Sequence, residues 1–230
     1  MHLTRIAELL EPFLSPIPNP CHSEPGQKPG EEPAVLSSIQ LQHISTYIDL
    51  LLRWNARINL TAIRDPEEIV TRHFGESFFA ARHLFPQVYP VSPLPPDFRV
   101  ADLGSGAGFP GLPIKLWALH ITLTLIESNH KKATFLREVT RALTLTDVNI
   151  QNAFAKTLPP SSFDIVTIRA VERLSRILPA TASLLVPAGR LVLLISSSQL
   201  ETIHATLPAF TWTAPIPVPQ SKSRILLISK

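Results

Sequence analysis

RVADLGSGAGFPG, from Arg99 to Gly111, begins as an apolar run of Val100, Ala101 and Leu103 interrupted by Asp102, then sets glycine at alternate positions, Gly104, Gly106 and Gly108. That is a strand ending in a tight turn. Glycine lacks a Cβ, so the turn can take positive φ and a ligand can approach the backbone closely. Pro110 falls where a first helical turn would begin, and its fixed φ and missing N–H cost nothing there. Strand, glycine loop and helix start, in that order, describe the first βα turn of an open α/β sheet, where nucleotide-like ligands bind.

The glycine spacing narrows the ligand. A dinucleotide fingerprint reads G-x-G-x-x-G and seats a pyrophosphate on the helix N-terminus, whereas here the third glycine comes one residue early, at Gly108. Asp102 at the end of the strand would repel a pyrophosphate but suits a nearby ammonium or sulfonium. The next apolar run, Ile121 to Ile126, ends in Glu127, positioned like the acidic residue that binds ribose hydroxyls in dinucleotide folds. Ribose plus a cationic tail without phosphates points to S-adenosylmethionine. The plainer alternative, a glycine turn that is only a turn, leaves the trailing acid without a role.

At 230 residues the chain has room for one α/β domain and a modest extension. A mean hydropathy of +0.17 does not call for a membrane, and the apolar run Leu191 to Ile195 is far short of the ~20 residues of a spanning helix. Arg5, Glu8 and Glu11 break up the apolar N-terminus, so no secretory signal is expected and the expected location is cytoplasmic. The single cysteine, Cys21, excludes an internal disulfide and a cysteine-rich zinc site. The histidines form no H-x-x-x-H pair, so no metal is expected. A net charge of +3 permits a nucleic-acid partner without requiring one.

Three regions follow from the pattern. In residues 1–36, a short amphipathic helix with Leu3, Ile6, Leu9 and Leu10 on one side precedes a flexible stretch carrying seven prolines between Pro12 and Pro33. Residues 37–96 form a helical layer and connector. Ser37 or Ser38 caps a helix running to about Arg57, with Leu41, Ile44, Ile48, Leu51 and Leu52 inward. Asp65, Pro66 and Glu68 start another, which carries Ile69, Val70, His73, Phe74, Phe78 and Ala81. Trp54, Asn55, Asn59, Thr61, Arg64, Arg72 and His73 gather near the intervening turn, where turn and capping hydrogen bonds are the simplest reading. Residues 97–230 alternate strand and helix. Strands are expected up to Glu127, at Val148 to Gln151, at Phe163 to Ile168 ending in Arg169, and at Arg190 to Ile195. Phe210 to Ala214 and Arg224 to Ser229 could pair as an antiparallel edge hairpin.

Six motifs then occur in a recognisable order: R-W-N-x-x-x-N-L-T (Arg53 to Thr61), D-P (Asp65, Pro66), R-H (Arg72, His73), D-L-G-S-G-A-G-F-P-G (Asp102 to Gly111), E-S-x-x-K-K-x-x-F-L (Glu127 to Leu136) and R-A-V (Arg169 to Val171). From about Leu36 to the C-terminus the chain resembles the ribosomal RNA small-subunit methyltransferase G family, also called the glucose-inhibited division protein B group. The resemblance implies a class I S-adenosylmethionine-dependent, Rossmann-like fold: a mostly parallel seven-stranded sheet with helices on both faces and an N-terminal helical extension. It implies methylation of guanine N7 in 16S ribosomal RNA, with the RNA or the 30S subunit as partner; the enzyme is expected to be a monomer.

Carried over by position, the glycine loop with Gly104, Gly106 and Phe109 would bind the cofactor, Glu127 its ribose, Ala155 and Lys156 its adenine, and Arg169 would line the substrate side. Asn59, Thr61, Arg72 and His73 become a face near the active site, while Lys131 and Arg224 join the cations expected to grip RNA. Lys156 stands where the family usually has Glu, and Ser196-Ser197 where it usually has Lys-Gly. No general base is expected, because guanine N7 offers a lone pair and has no proton to lose. The alternatives are a nicotinamide-dependent oxidoreductase and a non-enzymatic RNA- or ribosome-binding protein on a degenerate methyltransferase scaffold.

Overall fold

The computed structural model describes residues 1–15, 35–86, 95, 97–169 and 174–230. Cys21, most of the proline-rich stretch, most of the Pro86 to Pro96 connector, Arg173, and Ala170 and Val171 of the R-A-V motif lie outside the described residues.

Helix α1 (Leu3–Leu14) buries Ile6, Leu10, Phe13 and Leu14, the inward spacing its sequence predicts. Helix α2 (Ser38–Asn55) starts with a complete capping box: the Ser37 hydroxyl accepts from the Gln40 N–H, and the Gln40 side chain accepts from the Ser37 N–H. Asp65 caps α3 (Pro66–Glu68) by accepting from the Glu68 N–H at 2.8 Å. The chain then widens into a π-helical stretch (Ile69–Gly75) and returns to α-helix as α4 (Glu76–Leu84). Arg5 clasps Glu67 through two 2.8 Å contacts, tying α1 to α3; both side chains are exposed, so the pair contributes little stability.

The sheet comprises β1 (Arg99–Leu103), β2 (Thr122–Ile126), β3 (Val148–Gln151), β4 (Phe163–Arg169), β5 (Leu185–Ser196), β6 (Ile216–Pro217) and β7 (Arg224–Ile228). Its order is β3-β2-β1-β4-β5-β7-β6. The first five strands pair in parallel, while β7 is antiparallel to both β5 and β6. Because side chains alternate across a strand, β1 sends Val100 to one core and Ala101 and Leu103 to the other. On the first face pack α1, α2, α4, α5 (Gly111–Trp117) and α6 (His130–Ala142). On the second lie α7 (Leu174–Ser183) and α8 (Leu200–Thr206).

Two expectations need correction. The expected pairing of Phe210 to Ala214 is confined to an isolated bridge, where Trp212 faces Ser229 and the Thr213 N–H donates to the Ile228 carbonyl; the regular edge strand beside β7 is Ile216–Pro217. A two-residue strand ending in proline is too short to leave an alternating pattern. The fifth strand also begins earlier than Arg190, at Leu185, with a register shift against Phe163 and Ile165.

Candidate active site

The turn after β1 takes the conformation its glycines allow: φ is +69° at Gly104, +56° at Gly106 and +90° at Gly108. A Cβ on Gly106 would meet only the Gly104 carbonyl, at 3.7 Å, so this backbone is open to approach. At the neighbouring strand end, the Glu127 carboxylate accepts from the Gly106 N–H at 2.9 Å and from the Asn129 N–H at 2.7 Å. Asn152 donates to the carbonyls of Glu127 and Ser128 at 2.8 and 2.9 Å. Glu127 is thus clamped between the ends of β1 and β2. Each oxygen has used one lone pair on a backbone donor and keeps acceptor capacity for a vicinal diol.

Asp102 behaves differently from its sequence reading. It is fully buried, with both carboxylate oxygens engaged within the protein: Oδ2 accepts from the Gly111 N–H at 3.1 Å and Oδ1 from the Thr167 hydroxyl at 3.0 Å. Burial pushes its carboxyl up to about 6, against the pull of those hydrogen bonds. Asp102 braces the glycine loop against α5 and β4. A carboxylate at the end of a strand can point either way, and only the packing of α5 decides which.

Phe109, the last residue of the loop before Pro110, lies at the meeting point of both layers. The Tyr47 ring of α2 stacks on it at 5.2 Å and 8°, and His73 of the π-helical stretch stacks at 4.8 Å and 22°. The Tyr47 hydroxyl donates to the Ala107 carbonyl. His73 Nε2 shares a 2.8 Å hydrogen bond with the Thr61 hydroxyl, whose oxygen also accepts from the Ile63 N–H at 3.2 Å. Which of Thr61 and Nε2 donates depends on the imidazole tautomer. Nδ1 is buried and has no hydrogen bond among the described residues. Burial, then Arg169, Arg72 and Arg224, pull the imidazole down to about 3, so it is neutral.

Arg169 ends β4 over the same ring, its guanidinium carbon 6.0 Å from the Phe109 centroid. Its Nη2 donates to the Arg72 carbonyl at 2.6 Å and meets Glu76 Oε2 at 3.1 Å, while Arg72 Nε donates to Glu76 Oε1 at 2.9 Å. Glu76 is 1% exposed. Arg169 Nε is buried without a hydrogen bond among the described residues. One buried carboxylate therefore holds two guanidiniums, and leaves one N–H of Arg169 unpaired beside Phe109.

The structure thus brings Thr61, Arg72, His73, Arg169 and Phe109 together. Arg224 opens β7 opposite Ser196 and adds positive potential at His73 and Arg169. Ala155 and Lys156 sit on a 3-10 turn after β3, with Lys156 exposed. Lys131 is exposed in the first turn of α6. Asn59 is exposed and makes no hydrogen bond to the cluster among the described residues; Asn55 secures this loop, accepting from the Leu60 and Thr61 N–H groups and donating to the Thr61 carbonyl. Tyr47 and Glu76 are the residues the sequence reading missed, Tyr47 because it continues an ordinary helical apolar stripe.

The family model for rRNA small subunit methyltransferase G matches residues 40–218. The chain belongs to this family. Among curated rRNA small subunit methyltransferase G proteins, that of Halorhodospira halophila is 38% identical over 173 residues, covering 75% of this chain and 77% of the relative. That of Xanthomonas campestris is 41% identical over 164 residues, covering 71% and 72%. A ribosomal protein L11 methylase from Lactobacillus delbrueckii superposes with a TM-score of 0.56 at 17% identity, over 69% of this chain and 78% of that one, and speaks for the fold alone. The protein is accordingly an S-adenosylmethionine-dependent methyltransferase of the methyltransferase G family. The oxidoreductase and the non-enzymatic alternative gain no support from these matches.

Proposed function

We propose that this enzyme methylates N7 of a guanine in small-subunit ribosomal RNA, acting as a cytoplasmic monomer on the RNA or on the 30S subunit. The observation that carries the reading is the Phe109 cluster, where the glycine loop, the end of β4 and the helical layer converge on one aromatic ring. Membership of the methyltransferase G family supplies the substrate class.

When bound, S-adenosylmethionine supplies an electrophilic methyl on a sulfonium. Glu127 would hold its ribose hydroxyls, and Gly104 and Gly106 would let it approach the backbone. Ala155 and Lys156 are assigned to its adenine edge, with the 3-10 backbone available whatever Lys156 does. Guanine N7 has no proton to lose and needs no general base, and burial makes the His73 imidazole a weak one. What the residues contribute is alignment: Phe109 is held by the stacked rings of Tyr47 and His73, and beside it Arg169 Nε and His73 Nδ1 are polar atoms with no hydrogen bond among the described residues. Positioning of this kind can supply ~7 to 11 kcal/mol in favourable cases. N7 lies on the edge facing the deep groove of A-form RNA, so the target base is expected unstacked or in a loop.

The test is transfer from labelled S-adenosylmethionine to isolated 30S subunits and to protein-free small-subunit RNA, with Gly104→Asp as control and mass spectrometry to locate the label. Label on one guanine N7, absent with the variant, is expected. Cofactor binding without label on either substrate would sink the RNA assignment.

A further inference from the structure

We infer that the groove between the C-terminal end of α2 and helix α6 is a docking site for the RNA strand flanking the target base, with Arg53 and Arg57 on phosphates and Trp54 under a base. The inference rests on RNA being the substrate. The groove has a volume of about 390 Å³ and is lined by Arg53, Trp54, Ala56, Arg57 and Glu138.

Arg53 and Arg57 lie four positions apart and are both exposed, and neither guanidinium has an ion pair or hydrogen bond among the described residues. Unpaired arginines side by side match a phosphate backbone, because each planar fork can bind two phosphate oxygens. The groove's single carboxylate, Glu138, is outnumbered. Lys131 and Arg141 stand seven residues before it and three after, on the same stripe of α6. Trp54 packs its edge on Phe135 at 5.7 Å and 62°, is only half-buried, and its indole N–H has no partner among the described residues. A fixed aromatic ring amid cations is the arrangement that stacks bases while tracking a backbone. An acidic protein surface would use the cations and leave the indole idle.

The groove also adjoins the site. Ring contacts run from Trp54 to Phe135, on to Tyr47 at 6.3 Å, and from Tyr47 to Phe109. Asn55, next to Trp54, carries the loop whose Thr61 bonds His73. Arg64 donates to the Asn55 carbonyl at 3.3 Å, which fixes a third cation at this helix end.

The test compares wild type with Arg53→Glu/Arg57→Glu by filter binding of protein-free small-subunit RNA over a range of salt, alongside methylation of 30S subunits. S-adenosylmethionine affinity and the melting temperature, both expected unchanged, show that the fold is intact. The RNA Kd should rise about tenfold or more, and the slope of log affinity against log salt should become shallower by roughly 1.4, two single-strand phosphates at ~0.7 each. Trp54→Ala should weaken binding with the slope unchanged, and Trp54→Phe should restore most of it. Unchanged RNA affinity and slope in the double variant would overturn the inference. So would a loss confined to 30S methylation with RNA affinity intact, which would assign the groove to a ribosomal protein. Failure of the wild type to bind or methylate any RNA would instead remove the reading beneath it.

Discussion

The Tyr47 side chain occupies the space that any side chain on Gly108 would need: its phenol oxygen, with Leu112 and Leu136, closes over the Gly108 Cα. Gly108 also has φ +90°, outside the range L-residues take readily. Gly108→Ala should therefore cost roughly 3 kcal/mol or more, summing overpacking and backbone strain. Gly106→Ala, at φ +56° with its nearest neighbour at 3.7 Å, should cost about 1 kcal/mol in stability, yet should weaken S-adenosylmethionine binding by covering the open backbone. Urea unfolding and calorimetry would separate the two; equal stability losses would contradict this account of the loop.

Glu76→Gln leaves the buried Arg169 guanidinium without its countercharge. Breaking a buried pair from one side costs about 3–5 kcal/mol. The loss should shrink when Arg169→Gln is added, because the stranded cation is then gone. A double-mutant cycle in urea measures this, and additive losses would mean that the two residues do not act as a pair.

His73 gives a pH signature. Its folded value of about 3 lies below the ordinary 6.5, so the unfolded chain binds a proton that the folded one refuses. The stability it contributes is complete above pH 6.5 and is lost as pH falls toward 3, by roughly 2 kcal/mol between about pH 7 and pH 5. Asp102 works the other way: raised from 3.8 to about 6, its contribution is complete below 3.8 and is lost as pH rises through 6. The two offset only in part, leaving the wild type roughly 0.5–1 kcal/mol less stable at about pH 5 than at about pH 7. In His73→Asn, with Asp102 acting alone, acidification from about pH 7 to pH 5 should raise stability by about 1 kcal/mol. A variant that loses stability on acidification as the wild type does would count against a depressed His73.

Glu127→Gln keeps the shape but gives up the charge that receives the Gly106 and Asn129 N–H groups. Hydrogen bonds to charged groups contribute about 1.5–3 kcal/mol, so S-adenosylmethionine affinity should drop by at least about tenfold. Turnover at saturating cofactor should change little. An unchanged Kd by calorimetry would remove Glu127 from the cofactor site.

Local chemistry carried the sequence reading furthest. The Ser37 and Asp65 caps involve residues three positions apart, and the glycine loop and strand alternation are legible for the same reason. Glu76 was invisible because Arg72 and Glu76, four apart on a helix, read as an ordinary surface pair. What makes Glu76 a buried hub is Arg169, which reaches this helix from a strand 97 residues beyond Arg72. The π-helical widening left no mark either, since its apolar spacing fits a regular helix equally well. Asp102 shows the same limit, because a sequence gives a side chain's place on a strand but not the neighbour it turns toward.

The guanidinium of Arg169 has a thermodynamic consequence for the whole molecule. Its countercharge and its carbonyl acceptor both come from the helical layer, whereas its backbone belongs to the sheet. Sliding the layers apart would strand a cation in a nonpolar seam, so partial opening is the expensive route. The helical layer and the sheet should therefore melt in one cooperative transition, and a ligand that touches only the glycine loop should raise the melting point of both.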